Sequence, residues 1–346
     1  MKSRAHILCA SVCLFVVAWL TEMPAPAQAQ TSITLVATGS SLPEPLYIAW
    51  GDAYHAQHQE TQFRYLPEGT AESARKILAG VGDLGGGDAP TSDAERKHAV
   101  TPVLELPTVL IGIAIVYNLP NSPGELRLSG PVLADIFLGK VKSWNDPAIV
   151  KLNPAMKLSA QPIQVVHRTD GKGANYILSD FLSKLSPEFL SKLGRGDSPK
   201  WPVGISAARS QDMAEKVRAT SGSIGYTEAN LAVTASLRMA RIKNLAGEFV
   251  APSTKSISAA AIEAKVPDDF RASLTNAPGK DSYPIASFTW LYVPLKSNDP
   301  ERGRAVAAYV RWVYAEGQQI AQEKGYATLP DRLRTKVIAA AASIQY

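Results

Sequence analysis

Cysteine is almost absent from this chain. The sequence has two cysteines, Cys9 and Cys13, both in an N-terminal apolar stretch, and none after residue 13. From there on, the sequence excludes disulfides, a thiol nucleophile and a zinc site built on thiolates. The absence of a cysteine behind the apolar stretch also argues against a lipid anchor of the bacterial lipoprotein kind.

Long hydrophobic runs are missing as well. The apolar run from Ile7 to Leu20 has 14 residues, fewer than the roughly 20 that a membrane-spanning helix needs, and no later segment reaches that length. The run follows the basic residues Lys2 and Arg4 and precedes the small-residue sequence Ala27-Gln28-Ala29. This order is typical of a secretory signal peptide. We therefore expect residues 1–29 to be a signal peptide cleaved near Ala29, and the protein to be exported to the periplasm.

Charge is sparse and evenly spread. Hydrophobic residues make up 46% of the chain and charged residues 19%, which is typical of an ordinary globular protein. The formal net charge of +5 falls to +4 when the leader, with Lys2, Arg4 and Glu22, is left out. The basic residues form no stripe with interleaved aromatics, so nucleic acid is not an expected partner. A mild positive excess suits a small anionic ligand.

The motifs of common enzymes and cofactor sites are also lacking. Residues 80–85 match G-x-G-x-x-G, but they follow a predicted helix rather than a strand, which argues against a dinucleotide site. Gly171-Lys172 has no following Ser or Thr, as a P-loop requires. His55 and His58 have no third metal ligand near them in sequence. We expect no catalytic residue, no metal and no cofactor, and hence no enzyme.

What the chain does have is a regular alternation of apolar runs and amphipathic stretches, which predicts an α/β fold with mostly parallel strands. We predict strands at Ile33–Ala37, Gln62–Tyr65, Val109–Tyr117, Ile163–His167, Ile224–Tyr226 and Thr289–Pro294. We predict helices at Pro45–Gln57, Thr70–Ala79, Val132–Leu138, Gly173–Leu185, Ala207–Ala219, Glu301–Lys324 and Arg332–Ala342. The length after residue 29 exceeds what one hydrophobic core usually organises, so two lobes are expected.

Three segments share one design, in which a short turn rich in glycine or hydroxyl residues joins a strand to a helix. They are residues 38–43, 67–71 and 169–174. The first turn of a helix leaves backbone N–H groups unpaired and carries a partial positive charge, so small residues there let an anion approach. Ordinary helix capping explains any one of these turns; their recurrence favours an anion site.

Two charged residues sharpen that hypothesis. Arg168 directly follows an apolar strand and offers planar, bidentate donors that match an oxyanion. Asp88, in a glycine-rich turn, carries a negative charge, as the expected anionic ligand does, but its carboxylate can accept a hydrogen bond from a protonated oxyanion. A fully deprotonated anion would leave that carboxylate unpaired, so the pair predicts a site that accepts hydrogen phosphate and rejects sulfate. The alternative is a surface Arg and a turn Asp that caps the next helix.

The chain resembles the phosphate-binding proteins of bacterial phosphate-specific ABC transporters along nearly its whole length after the leader. The resemblance rests on ordered matches at residues 39–47, 87–90, 106–108, 135–140, 144–149, 152–154, 168–171, 200–202, 224–226 and 329–331. It implies a type II periplasmic binding protein fold, whose two lobes join through a two-stranded hinge and close over the ligand. The hinge would lie near Tyr117–Asn118 and Pro284–Ala286. Lobe one would then be 30–117 with 286–346, and lobe two 118–285.

The resemblance also implies a function and a site. A monomer would capture inorganic phosphate and deliver it to an inner-membrane ABC permease and its ATPase. Asp88 would accept the phosphate proton, Arg168 would bind the anion, and Asp170 would orient Arg168. The implied ligand-binding residues are Ser41, Leu42, Thr70, Asp88, Arg168, Asp170, Lys172, Gly173 and Ala174.

Several pocket residues depart from the family pattern. Leu42, Ala71, Glu72, Lys172 and Ala174 replace residues that include side-chain hydroxyl donors. If Lys172 supplies a point charge and Glu72 points to solvent, phosphate is still bound. If Glu72 and Lys172 instead pair across the cleft, the ligand is a different oxyanion or small anionic metabolite. A secreted adhesion or signalling protein that reuses the fold is a further alternative.

Overall fold

Strands and helices alternate through the part of the chain that is described, residues 32–169 and 171–345 of a computed structural model. The strands are β1 (Ile33–Gly39), β2 (Thr61–Leu66), β3 (Leu84–Gly87), β4 (Val103–Tyr117), β5 (Arg127–Leu128), β6 (Gln164–Arg168), β7 (Ile205–Ala207), β8 (Ser223–Glu228), β9 (Arg238–Met239), β10 (Arg241–Lys243), β11 (Phe249–Val250), β12 (Ala286–Pro294) and β13 (Ala327–Thr328). The predicted signal peptide lies outside the described residues.

The helices are α1 (Glu44–Gln57), α2 (Thr70–Leu78), α3 (Asp93–Arg96), α4 (Gly130–Phe137), α5 (Pro147–Val150), α6 (Gly173–Leu185), α7 (Pro187–Lys192), α8 (Ser210–Ala219), α9 (Ala229–Thr234), α10 (Thr254–Ile262), α11 (Pro300–Ala315), α12 (Gly317–Glu323) and α13 (Asp331–Ala341). None of these helices, in the ranges that the structure describes, is long and apolar enough to span a bilayer.

All six predicted strands and six of the seven predicted helices are confirmed, with their ends shifted by a few residues. The exception is the helix predicted at Glu301–Lys324, which is two helices with a break at Glu316. The break has a tertiary cause. Trp50 donates its indole N–H to the carbonyl oxygen of Gly317 at 2.6 Å, and a side chain on Gly317 would meet the indole nitrogen at 2.9 Å.

One ten-stranded sheet forms the centre of the fold, with β2-β1-β3-β12-β4-β8-β6-β7 as its main order. The three strands at each end run parallel, as predicted, because helices connect them. The central strands β12 and β4 run antiparallel to their neighbours. We use lobe one for the part built on β2, β1, β3 and β12, and lobe two for the part built on β8, β6 and β7.

Strand β4 connects the two lobes. Its first part pairs with β12 as far as Gly112, and its last part pairs with β8 from Ile113 to Tyr117. Nearly every residue of β4 is buried, which explains its continuous apolar sequence. The change of partner lies at Gly112–Ile113, a few residues before the predicted crossing at Tyr117–Asn118. Ala286, the first residue of β12, pairs with Gly112.

Candidate functional site

Asp88 lies at the carboxyl end of β3, a short strand made almost wholly of glycine. The glycines are required by close packing: a side chain on Gly87 would meet the hydroxyl of Tyr292 at 1.9 Å. Tyr292 lies on β12, pairs with Gly85 of β3 and covers this side of the strand. The backbone N–H of Asp88 donates to the hydroxyl of Thr70 at 3.2 Å, which fixes the residue against the start of α2.

The Asp88 carboxylate is fully buried and lacks a hydrogen-bond partner within the part of the chain that the structure describes. Its exposed fraction is 0%, and neither oxygen has a hydrogen bond to any described residue. Burial raises its pKa to about 7, and the nearby hydroxyls of Ser40 and Thr289 only partly oppose that rise. Buried polar atoms without partners are rare in native proteins and call for a physical explanation. A ligand that donates a hydrogen bond would supply one.

Arg168 ends β6 in lobe two and is 1% exposed. Its Nη1 donates to Ser210 Oγ at 3.0 Å, and its Nη2 donates to the carbonyl oxygen of Ala208 at 3.1 Å and to Ser41 Oγ at 3.2 Å. Its Nε has no acceptor among the described residues. The guanidinium therefore spans from lobe two to lobe one and still has a buried donor to offer.

The predicted helix starts meet at the same place. A side chain on Gly173, the first residue of α6, would meet Asp88 Oδ2 at 2.3 Å and Thr70 Oγ1 at 2.7 Å. Among the described residues, no side chain caps α1, α2 or α6. Around this point, four buried residues have backbone N–H groups with no acceptor among the described residues. They belong to Ser41, Thr70, Gly173 and Ala174.

Leu42 and Asp170 differ from the other predicted ligand-binding residues. The backbone N–H of Leu42 donates to Ser40 Oγ at 3.1 Å, so this donor is already used, and the side chain is buried in the hydrophobic core. Asp170 falls outside the described residues.

The side chains that depart from the family pattern do not pair with each other. Both oxygens of Glu72 accept from Arg75, at 2.8 and 2.6 Å, and this places the carboxylate on the outer side of α2. Lys172 extends its ammonium across the cleft to the carbonyl oxygen of Glu68 at 3.4 Å. Burial lowers the pKa of Lys172, and the positive charge of Arg168 adds to that effect. Lys172 therefore lies at the mouth of the cleft and remains electrostatically linked to Arg168.

Sequence reasoning missed two residues of this cluster, Ser210 and Glu228. Ser210 accepts from Arg168, and Glu228 is a buried carboxylate that interacts electrostatically with Arg168 and Asp88. Both are far from Arg168 in sequence. One signal was available, because Glu228 stands two residues after the predicted strand Ile224–Tyr226, much as Arg168 follows the strand predicted before it.

Together these groups form a small, buried, mainly donor-lined site with one unpartnered acceptor. Arg168, four N–H groups and the Thr70 hydroxyl suit the oxygens of a tetrahedral anion, whereas Asp88 suits a proton on that anion. Across the described ranges, no cluster of three or more acidic, histidine or cysteine side chains could hold a metal ion.

Known proteins match both the sequence and the fold. The sequence profile of the PBP superfamily domain matches residues 24–316. The phosphate-binding protein PstS of Xylella fastidiosa is 35% identical over 323 residues, covering 92% of this chain and 88% of that protein. PstS of Haemophilus influenzae is 36% identical over 301 residues, covering 86% and 89%.

The fold agrees with these matches. The crystal structure of a phosphate-binding protein from Stenotrophomonas maltophilia superposes with a TM-score of 0.68 at 19% identity, covering 89% of this chain and 94% of that one. The expected two-lobed type II binding-protein fold is thereby confirmed. The chain belongs to the PBP superfamily and, within it, to the family of the PstS phosphate-binding proteins.

Proposed function

We propose that this protein binds inorganic phosphate, as hydrogen phosphate, in the cleft between its lobes. The observation that carries the proposal is the Asp88 carboxylate, which is buried without a partner beside Arg168 and four free backbone donors. Hydrogen phosphate has oxygens for the donors and a proton for Asp88. Sulfate would set an unprotonated oxygen against that carboxylate, at a cost on the order of 1–3 kcal/mol or more.

Each contact has a proposed role. Arg168 binds the anion through Nε, the N–H groups of Ser41, Thr70, Gly173 and Ala174 donate to its oxygens, and the Thr70 hydroxyl donates as well. Leu42 closes the wall of the cleft rather than donating. Lys172 contributes a positive charge at the mouth without touching the ligand, since its ammonium is bound to the Glu68 carbonyl. Asp170, by resemblance, remains the proposed orienting partner of Arg168.

Strand pairing supports a proposal for the lobe boundaries. We propose crossings at Gly112–Ile113 and at Ala286, so that residues 32–112 and 286–345 form lobe one and residues 113–285 form lobe two. The contacts across the cleft, such as Arg168 with Ser41 and Lys172 with Glu68, support a closed conformation. Opening of such a cleft is a hinge motion, in which a few residues absorb the backbone change.

We propose the rest of the transport role from the family. The leader directs export, the mature protein is a periplasmic monomer, and it passes phosphate to an ABC permease with its ATPase. No catalytic role is assigned to any residue. The alternative ligand, another oxyanion or anionic metabolite, required Glu72 and Lys172 to pair, and both have other partners. No observation favours an adhesion or signalling role.

Calorimetric titration of the phosphate-stripped protein tests the proposal. We expect saturable heat with phosphate at micromolar concentrations and none with sulfate under the same conditions. An absence of heat with phosphate at tens of micromolar would reject the proposed function. Mass spectrometry of the ligand released from freshly purified protein would then identify the anion that is bound instead.

A further inference from the structure

Glu228 occupies the junction between the anion site and the lobe crossing. It is the last residue of β8 and pairs with Ile113 of β4, where β4 changes from one lobe to the other. Strands β6 and β8 run parallel with Gln164 beside Ser223 and Val165 beside Ile224. The same register carried forward places Arg168 beside Thr227, the immediate neighbour of Glu228.

The surroundings of Glu228 link it to Arg168. The carboxylate is 3% exposed and accepts a hydrogen bond from Thr227 Oγ1 at 2.8 Å. Ser210, which accepts from Arg168 Nη1, is also near enough to Glu228 to lower the pKa of that carboxyl. Among the described residues, Glu228 is the carboxylate with the strongest electrostatic effect on Arg168, ahead of Asp88. In addition to Arg168, the titratable groups that face Glu228 are Asp88 and Tyr326, and Asp212 acts on Arg168 from α8.

The charges of this cluster do not balance once a dianion is present. Arg168 carries one buried positive charge, and Asp88 and Glu228 can each carry one negative charge. A bound dianion would leave three uncompensated negative charges in a site closed to water if both carboxylates were ionised. Such charges are strongly unfavourable at low dielectric, and a carboxylate responds by taking up a proton. Asp88 is needed as an acceptor for the ligand proton, so Glu228 is the group free to become neutral.

We propose that Glu228 is an exchangeable counter-ion of Arg168, which takes up a proton when phosphate binds and releases it when phosphate leaves. The inference rests on the proposed function and deepens it, since it makes proton uptake part of anion capture. Burial raises the pKa of Glu228, whereas the Thr227 hydroxyl, Arg168 and Ser210 lower it. An incoming dianion that engages Arg168 weakens one of these opposing effects and adds repulsion. Glu228 is thus a positioning residue, acting on the ligand through Arg168.

Calorimetry in buffers of different ionisation enthalpy measures the protons taken up per phosphate bound. We expect the native protein at pH 7.5 to take up about 0.3–1 proton more than Glu228→Gln, which has no proton to exchange. The ratio of the native dissociation constant to that of Glu228→Gln should rise with pH, by up to about tenfold per pH unit. Because phosphate ionises in the same way in both titrations, its contribution to the two dissociation constants cancels in the ratio.

Glu105→Gln is the matched control. Glu105 is also buried, at 2% exposed, and its pKa is also raised by burial, but its partners are Thr91 and Arg96 rather than Arg168. We expect it to behave as the native protein does. Equal proton uptake and a flat ratio for Glu228→Gln would overturn the inference while phosphate binding stands. A native protein that binds no phosphate would overturn the proposed function and this inference with it.

A measurement on the unaltered protein covers the case in which Glu228→Gln does not fold. In carbon-13 NMR of protein labelled at the glutamate side-chain carboxyl, Asp88 is unlabelled and gives no signal. We expect one glutamate signal to move to the position of a protonated carboxyl on addition of phosphate. If every glutamate signal kept its position, Glu228 would not be exchanging a proton.

Discussion

Asp88 and Asp180 are buried to nearly the same degree, at 0% and 1% exposed, yet their surroundings differ completely. Asp180 lies on α6 and accepts from Ser273 and Thr275, with Lys184 at 3.0 Å and Arg195 at 3.3 Å. Burial raises its pKa, but these partners outweigh burial and the pKa is lowered. Asp88 has none of these partners among the described residues, and its pKa is raised to about 7.

The difference separates a structural carboxylate from a functional one. A buried charge that is fully paired holds its segment in place, and here Asp180 joins α6 to the loop before β12. A buried charge without a partner lowers stability unless a ligand compensates it, so its presence in a fold indicates a site. Substitutions at these two aspartates and around the cleft test this difference.

Replacing each aspartate with asparagine should change stability in opposite directions. Asp180→Asn removes the charge that Lys184 and Arg195 are bound to, and we expect the free energy of unfolding to fall by about 2–4 kcal/mol. Asp88→Asn removes an unpaired buried charge, and we expect a gain of about 1–3 kcal/mol at pH 8 without phosphate. Urea unfolding measures both. A loss of stability in Asp88→Asn would contradict the comparison.

The pH dependence of stability should differ as well. The pKa of Asp88 is higher in the folded protein than the usual 3.8, so its carboxyl favours folding below about pH 4. That contribution is lost as the pH rises through about 7. The gain from Asp88→Asn should therefore be large at pH 8 and small at pH 5, by urea unfolding at each pH in phosphate-free buffer. A gain independent of pH would show that Asp88 does not titrate as described.

Gly173→Ala should weaken phosphate binding by about tenfold or more. The added methyl group would meet Asp88 and Thr70 and hold the cleft apart, so that the donors on the two lobes no longer reach one anion. Gly196→Ala is the control, because a side chain there would have no atom within 4 Å. Calorimetry of both variants checks this. Equal affinities would mean that the contact at Gly173 does not limit closure.

Lys172→Ser should have the smallest effect, a loss of a few-fold in affinity that shrinks at high salt. The ammonium is partly exposed and acts on the anion at a distance, where water and ions screen it. Glu72→Gln serves as its partner variant and should leave affinity unchanged, since Glu72 is held by Arg75. A larger loss for Lys172→Ser than for Gly173→Ala would place Lys172 in direct contact with the ligand.

Much of the fold could be predicted from the sequence because its long elements carry clear apolar patterns. The six strands and the start of α6 are examples. Strand β3 was missed because three glycines carry no hydrophobic pattern, although the same glycines pointed to Asp88. The break between α11 and α12 could not be foreseen, since it depends on Trp50, far away in sequence.

The candidate site divides in the same way. Asp88 and Arg168 stand out locally, each at the end of a strand, and the turns before α2 and α6 have recognisable compositions. Contacts between residues of different lobes could not be predicted, because they depend on which strands are neighbours in the sheet. The position of Glu228 near Arg168 depends on the pairing of β6 with β8. The outward orientation of Glu72 depends on its hydrogen bonds with Arg75.

The anion selectivity of Asp88→Asn shows whether Asp88 recognises the proton of hydrogen phosphate. We would titrate the native protein and Asp88→Asn with phosphate and with sulfate by calorimetry at the same pH and salt concentration. The native protein should bind phosphate and not sulfate, whereas the asparagine, an uncharged side chain that can donate, should reduce the preference by about tenfold or more. If Asp88→Asn kept the native preference for phosphate, Asp88 would not be the group that accepts a hydrogen bond from the ligand proton.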